Sequence, residues 1–260
     1  MTNGSISSPW VTNYWPNPQA SLRLFCFHCA GGGAHTYRPW ARELPRNIEV
    51  FGIQQPGRGA RIFEKPVSHH GPLVDAVATA LLPLLNKPFA FFGHSMGALI
   101  AFETARLLYR EHSLLPVHLF ISACGGPRTR DAQTDYANLP EAELLAHLIR
   151  FESAPREVLN DAELMRMMLP TVRADFMVCE SYRYRSEPPL PCPITGFGGL
   201  QDCETSQTRL EAWSTETSQK FSLQMFSGGH FFLHPHRTSI LETISRSLKH
   251  AMANPGSGSF

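Results

Sequence analysis

Residues Ala90-Phe-Phe-Gly-His-Ser-Met-Gly-Ala-Leu-Ile-Ala101 place one hydroxyl between two glycines, Gly93 and Gly97, inside a mostly apolar run. The residues before it, Pro88 to Phe92, read as a buried strand, and those after it, Ala98 to Arg110, repeat apolar positions at helical spacing. A strand that turns into a helix this sharply has no space for side chains two residues before and two after the turn. Glycine at both positions meets that demand, and the turn lifts the Ser95 hydroxyl clear of the sheet. It also sets the hydroxyl at a helix N-terminus, whose positive end favours a developing anion.

Five more strands are predicted at Leu22 to Phe27, Glu49 to Gln54, His118 to Ala123, Cys192 to Phe197 and Phe221 to Phe226. Several lack polar alternation, as strands covered on both faces do. Helical patterns fall between or after them at His70 to Leu85, Glu204 to Ser214 and Thr238 to Met252. This alternation implies an α/β chain with a parallel sheet wrapped by helices, and a single domain can reach 260 residues in that class. The expected limits are an irregular leader over 1–20, the domain over 21–253 and a frayed tail over 254–260. Asn138 to Ser181 breaks the rhythm with successive helical patterns, so an inserted helical cap is expected there. Its methionines, Met165 and Met168 among them, either pack the cap onto the body or line an acyl pocket.

A formal charge of +1, with 17% charged residues, argues against a general nucleic-acid binder. The start lacks the basic region of a secretory signal, and Phe89 to Ile100 is too short to cross a bilayer, so a cytosolic protein is expected. Six scattered cysteines suit free thiols. Cys26-Phe-His-Cys29 matches a C-x-x-C pattern but lacks a second pair.

A serine hydroxyl is a weak nucleophile at neutral pH and needs a histidine base held by a carboxylate. Where the nucleophile sits on such an elbow, the acid and then the histidine follow after later strands, as in the α/β-hydrolase order. Asp202 lies just past the fifth predicted strand, and His230 follows the last one in Ser227-Gly-Gly-His230. Asp202 has an alternative as the cap of the helix near Glu204. His94 reads as a packed turn residue, and Pro235 breaks the spacing that would let His230, His234 and His236 hold a metal. No metal site is expected. An oxyanion hole would use the backbone N–H of Met96 and a second N–H from Phe27-His-Cys-Ala-Gly-Gly-Gly33, with Ala30 as first choice and Cys29 as the alternative. That loop lacks the Lys-Ser/Thr ending of a phosphate cradle.

Taken together, Leu24-Phe-Cys-Phe-His-Cys-Ala-Gly-Gly-Gly33, Tyr37-Arg-Pro-Trp40, Gln55-Pro-Gly-Arg-Gly-Ala-Arg61, Phe92-Gly-His-Ser-Met-Gly-Ala98, Leu169-Pro-Thr-Val-Arg-Ala-Asp-Phe176 and Gly228-Gly-His-Phe-Phe-Leu233 closely resemble the type II thioesterases of nonribosomal peptide and polyketide synthases. The resemblance runs from about Leu22 to Leu248. It departs at His28-Cys29, where the family usually carries Pro and then a His or an aromatic residue. The resemblance implies an α/β-hydrolase fold, a mostly parallel sheet flanked by helices with a helical lid over about 138–181. It implies a monomeric cytosolic hydrolase acting in trans on acyl groups carried by the phosphopantetheine arm of carrier proteins. Ser95, Asp202 and His230 would be catalytic, Met96 and Ala30 the oxyanion donors, and Cys29, Met165 and Met168 substrate contacts, with no cofactor. Arg58, Arg61, Arg128 and Arg130 either meet an acidic carrier protein or are simply solvated. A carboxylesterase with the same triad, a silent scaffold of the same fold and an acyltransferase remain as alternatives.

Overall fold

A computed structural model describes residues 8–129, 135–150 and 161–253. Among them, seven strands, β1 (Val11–Thr12), β2 (Leu22–Phe27), β3 (Ile48–Ile53), β4 (Phe89–His94), β5 (Leu119–Ser122), β6 (Ile194–Gly199) and β7 (Phe221–Phe226), form one sheet in the order β1-β3-β2-β4-β5-β6-β7. β1 is antiparallel to β3, and every other neighbouring pair is parallel. The helices are α1 (Trp40–Glu43), α2 (His70–Leu81), α3 (Met96–His112), α4 (Glu141–Arg150), α5 (Ala162–Ser181), α6 (Gln207–Glu211) and α7 (Arg237–Ala253). None of the described helices is long and apolar enough to cross a membrane.

Successive side chains on a strand point to opposite faces, and β2 shows the result. Phe25 and Phe27 join Leu73 and Val77 of α2 and Leu99 and Phe102 of α3, whereas Leu22, Leu24 and Cys26 join Trp40 of α1 and Ile240 and Ile244 of α7. Both faces of β2 are therefore dry, as are those of β3, β4, β5 and β6, whereas the outer strand β7 is only partly buried and alternates Ser222 and Gln224 with apolar residues. Each such side chain taken fully out of water contributes about 1.5–3 kcal/mol.

The predicted elements recur with shifted ends, and several shifts have a local cause. β4 runs on through Gly93 and His94 because Gly93 pairs with both Phe27 and Ile121, and His94 with Ser122. α3 correspondingly starts at Met96, so the turn between them is Ser95 alone. α2 stops at Leu81 rather than Leu85, since Pro83 has no N–H to continue the ladder and a 3-10 turn, Leu82–Leu84, follows. β6 extends to Gly199, its ladder with β7 reaching Phe226. Within the expected leader, Val11 and Thr12 form an edge strand against Ile53 and Gly52.

Among the described residues no strand lies between β5 and β6, and this is where the helical insertion falls. Leu144 and Leu148 of α4 pack on Met165, Leu169 and Val172 of α5, with Met168 partly buried beside them. Asp161 caps α5 by accepting from the N–H groups of Glu163 (3.1 Å) and Leu164 (3.0 Å). Pro170 sits inside α5 and removes one helical donor. The expected tail, 254–260, lies outside the described residues.

Candidate functional site

Ser95 has φ 55° and ψ −119°, a conformation that L-residues rarely adopt. Its N–H donates to Ser122 O at 2.8 Å and its carbonyl accepts from Ala98 N–H at 3.0 Å, which anchors the turn to β5 and to α3. The flanking glycines are required by space. A Cβ on Gly93 would stand 2.5 Å from Ala98 N, and one on Gly97 2.5 Å from His28 O. Ser95 is partly exposed while its neighbours His94 and Met96 are buried. The Met96 N–H belongs to the first turn of α3, where amides have no intrahelical acceptor.

β4, β6 and β7 are parallel, so the segments after their ends collect at one edge of the sheet. There Asp202, with no side-chain exposure, accepts from His230 Nδ1–H at Oδ2 (2.9 Å). Its Oδ1 accepts from the N–H groups of Glu204 (2.9 Å) and Thr205 (3.3 Å). One oxygen of the carboxylate thus faces the imidazole and the other closes the turn that follows, where no helix begins near Glu204. Ser206, not Asp202, caps α6. With Nδ1 protonated toward Asp202, Nε2 of His230 is the free basic nitrogen.

His94 joins the two halves of the site: it precedes Ser95, and its ring lies 5.4 Å from that of His230 and 5.6 Å from that of Phe231. Its Nδ1 bonds Ser122 Oγ at 2.9 Å. Burial, helped by His230 and His234, pushes the His94 imidazole well below its ordinary range, so it is a neutral packing group. His234 stacks on Phe231, and His236 Nε2 bonds Ser227, so the three nearby histidines do not converge. Among the described residues no group of three His, Cys, Asp or Glu side chains could hold a metal ion.

The loop after β2 passes over the first turn of α3, as the closeness of Gly97 to His28 O shows. Tyr37 Oη–H donates to Phe27 O at 2.8 Å, and Gly31 N–H donates to Asp175 Oδ2 at 2.8 Å. Burial drives the His28 imidazole down to about 3, with Arg58 adding to the effect. Burial likewise pushes the Cys29 thiol up to about 12.

Two of the arginines considered for a docking surface are elsewhere. Arg58 is buried and makes a two-pronged pair with Asp175, Nη1 to Oδ2 and Nη2 to Oδ1, both at 2.7 Å. Arg61 is buried too, held by Glu64 and Gln54 O and lying over the Trp10 ring. Arg58 is drawn in by a fully buried carboxylate, whereas Arg61 is covered by its own loop and bonds an exposed Glu64 together with the Gln54 carbonyl. Arg128 is about half exposed and pairs with Glu216 at 2.8 Å. Arg130 lies outside the described residues. Sequence reasoning missed Asp175, although a carboxylate one turn from Val172 and Val178 on a buried helix stripe is a signal that a cation must face it.

The thioesterase-domain family model matches residues 22–248. The chain is 43% identical over 253 residues to the gramicidin S biosynthesis protein GrsT of Aneurinibacillus migulanus, covering 97% of this chain and 99% of that protein. Among solved structures it resembles the type II thioesterase BorB from the borrelidin biosynthetic cluster, with TM-score 0.84 and 36% identity over 94% of this chain and 97% of that one. It also resembles the RedJ thioesterase of the prodiginine pathway in Streptomyces coelicolor, with TM-score 0.83 and 35% identity over 88% and 91% of the two chains.

Proposed function

This chain belongs to the thioesterase family, and from that premise we propose a cytosolic type II thioesterase that clears acyl or aminoacyl groups from the phosphopantetheine thioesters of synthase carrier proteins. The reading is supported by the company the chain keeps, since BorB is a type II thioesterase of a biosynthetic cluster and the similar YbtT is a type II thioesterase of the yersiniabactin NRPS/PKS pathway. The observation that carries the chemistry is the His230–Asp202 hydrogen bond at the sheet edge that also bears Ser95 on its strained turn.

In the proposed mechanism Ser95 Oγ attacks the thioester carbonyl carbon while His230 Nε2 takes the hydroxyl proton. Asp202 holds the imidazole in the Nδ1–H tautomer and stabilises the imidazolium that forms. The tetrahedral oxyanion is met by the N–H groups of Met96 and Ala30. The C–S bond then breaks, His230 returns the proton to the pantetheine sulfur, and an acyl-serine remains. Water attacks that ester with His230 as base, His230 returns the proton to Ser95 Oγ as the C–O bond breaks, and the free acid leaves. The insertion over about 138–181 acts as the lid through which the carrier-bound arm enters, with Cys29 and Met168 near the acyl chain. Met165 lies deeper, in the insertion's own cluster.

The test is acid release from acetyl- and longer acyl-loaded carrier protein by the wild type and Ser95→Ala, with a matched acyl ester alongside. Thioester turnover that exceeds ester turnover and disappears in Ser95→Ala is expected. Turnover retained by Ser95→Ala refutes the nucleophile, faster ester turnover favours a carboxylesterase, and binding without turnover favours a scaffold.

A further inference from the structure

We propose that Asp175, reaching from α5 of the insertion and paired with Arg58, is a positioning residue that fixes the loop around Ala30 so that its N–H is aimed at the oxyanion. The inference rests on the oxyanion site proposed above.

The need for such a device is visible in the loop. Ala30 is followed by Gly31, Gly32 and Gly33, three residues with the widest backbone freedom of any. An oxyanion donor is effective only when it is held in place before charge develops. The loop is gripped at consecutive residues on either side of its chain direction: Gly31 N–H donates to Asp175 Oδ2 at 2.8 Å, and Arg58 Nη1 donates to Gly32 O at 3.1 Å. Gly31 is held at φ +71°, and the place a Cβ would take there lies 3.3 Å from Val172 Cγ2, also on α5. One turn of α5 therefore presses on the loop with a methyl group and holds it with a carboxylate.

The electrostatics agree. A lone carboxylate one residue from Ala30 would oppose the negative charge of the tetrahedral intermediate. The bidentate Arg58 balances it, so the loop gains a strong acceptor without a net charge. The full burial of Asp175 is tolerable because both oxygens are bonded, Oδ2 twice.

The competing account is that the pair merely docks the insertion onto the body. α5 offers an internal control for that account, because Thr171 Oγ1–H donates to Gly57 O at 2.7 Å and so ties the insertion to the body by a bond that does not involve the 27–33 loop. Full-length Asp175→Asn, Arg58→Lys and Thr171→Val should be compared with the wild type on octanoyl-pantetheine. The readouts are kcat, KM, the melting temperature, and the affinity of octyl trifluoromethyl ketone, which adds to Ser95 and places an oxyanion in the site. Asp175→Asn is expected to lose roughly 10²-fold in kcat with KM changed by no more than about threefold, and to lose ketone affinity in parallel. Arg58→Lys, which keeps the charge but not the fork, should lose about tenfold. Thr171→Val should melt earlier with kcat intact.

A folded Asp175→Asn with kcat within about threefold of wild type, unchanged ketone affinity, or an equal kcat loss in Thr171→Val overturns the inference. If Asp175→Asn does not fold, the same criteria applied to Arg58→Lys decide. Ser95→Ala run in the same assay separates the two levels. Turnover retained there removes the site on which the inference rests, whereas an inactive Ser95→Ala beside a fully active Asp175→Asn removes this inference alone.

Discussion

Asp202→Asn keeps the shape of the side chain and changes only what its two outer atoms can do. Oδ1 faces two backbone donors, the N–H groups of Glu204 and Thr205, so the carboxamide oxygen must take that side. Its NH₂ group is then directed at His230 Nδ1, where Oδ2 now accepts at 2.9 Å. Facing a donor, Nδ1 must become the acceptor, and the ring proton moves to Nε2. The base then has no lone pair for the Ser95 proton. A wrong-tautomer histidine costs about 10⁴-fold in kcat, or about 5 kcal/mol of transition-state stabilisation. Stability should barely change, because the two cap bonds survive. Asp202→Ala makes the opposite trade. It leaves the imidazole free to adopt either tautomer, so its kcat loss should be no greater, but it forfeits both cap bonds and should cost about 1–2 kcal/mol of stability. The assay is pantetheine release from octanoyl-pantetheine together with urea unfolding of both variants. If Asp202→Asn keeps more than about a tenth of the wild-type kcat, Asp202 is only a cap and the assignment of the acid is wrong.

Gly97→Ala should destabilise by about 1–3 kcal/mol and depress turnover, because the added Cβ meets His28 O and Phe27 C at 2.5 Å and pushes the loop from the elbow; thermal melting and kcat check it. Stability should fall on acidification, since burial holds His118 down to about 4 and His28 to about 3, against 6.5 in the unfolded chain. The unfolded state gains protons below that value while the folded state does not, so the stabilisation is complete above pH 6.5 and is lost toward pH 4, at about 1.4 kcal/mol per unit per group. Urea midpoints at about pH 7 and 4.5 should differ less in His118→Asn than in wild type. Of the six cysteines, Cys203 is exposed, whereas burial raises Cys192 to about 12. A disulfide-exchange reagent should therefore label Cys203 first in the folded protein and all six thiols after unfolding, as peptide mapping would show.

The middle of the sheet was readable because its strands are buried on both faces and so leave dense apolar runs such as Leu22–Phe27. The placement of Ser95, Asp202 and His230 at one edge was readable because each follows the end of such a run, and parallel strands send those ends to the same edge. β1 was not, since two residues carry no period and their pairing depends on where Ile53 lies. The burial of Arg58 was not either: its partner is 117 residues away, and an arginine in a Pro-Gly-Arg-Gly turn looks exposed until the opposite carboxylate is in place. The exchange of a helix end for a 3-10 turn at Leu82–Leu84 was missed, because the apolar spacing continues to Leu85 although Pro83 withholds a donor.

The backbone at Ser95 closely matches the first central position of a type II′ turn, a place that glycine fills and that costs an L-residue on the order of 1–3 kcal/mol. A glycine there would fold more comfortably and do no chemistry. Given the role proposed for Ser95, selection for cellular abundance alone would accordingly erode the serine, and only selection for turnover would keep it. At this one residue the two pressures on the gene act in opposite directions, so a lineage that no longer needs the activity should lose the serine early and keep the fold.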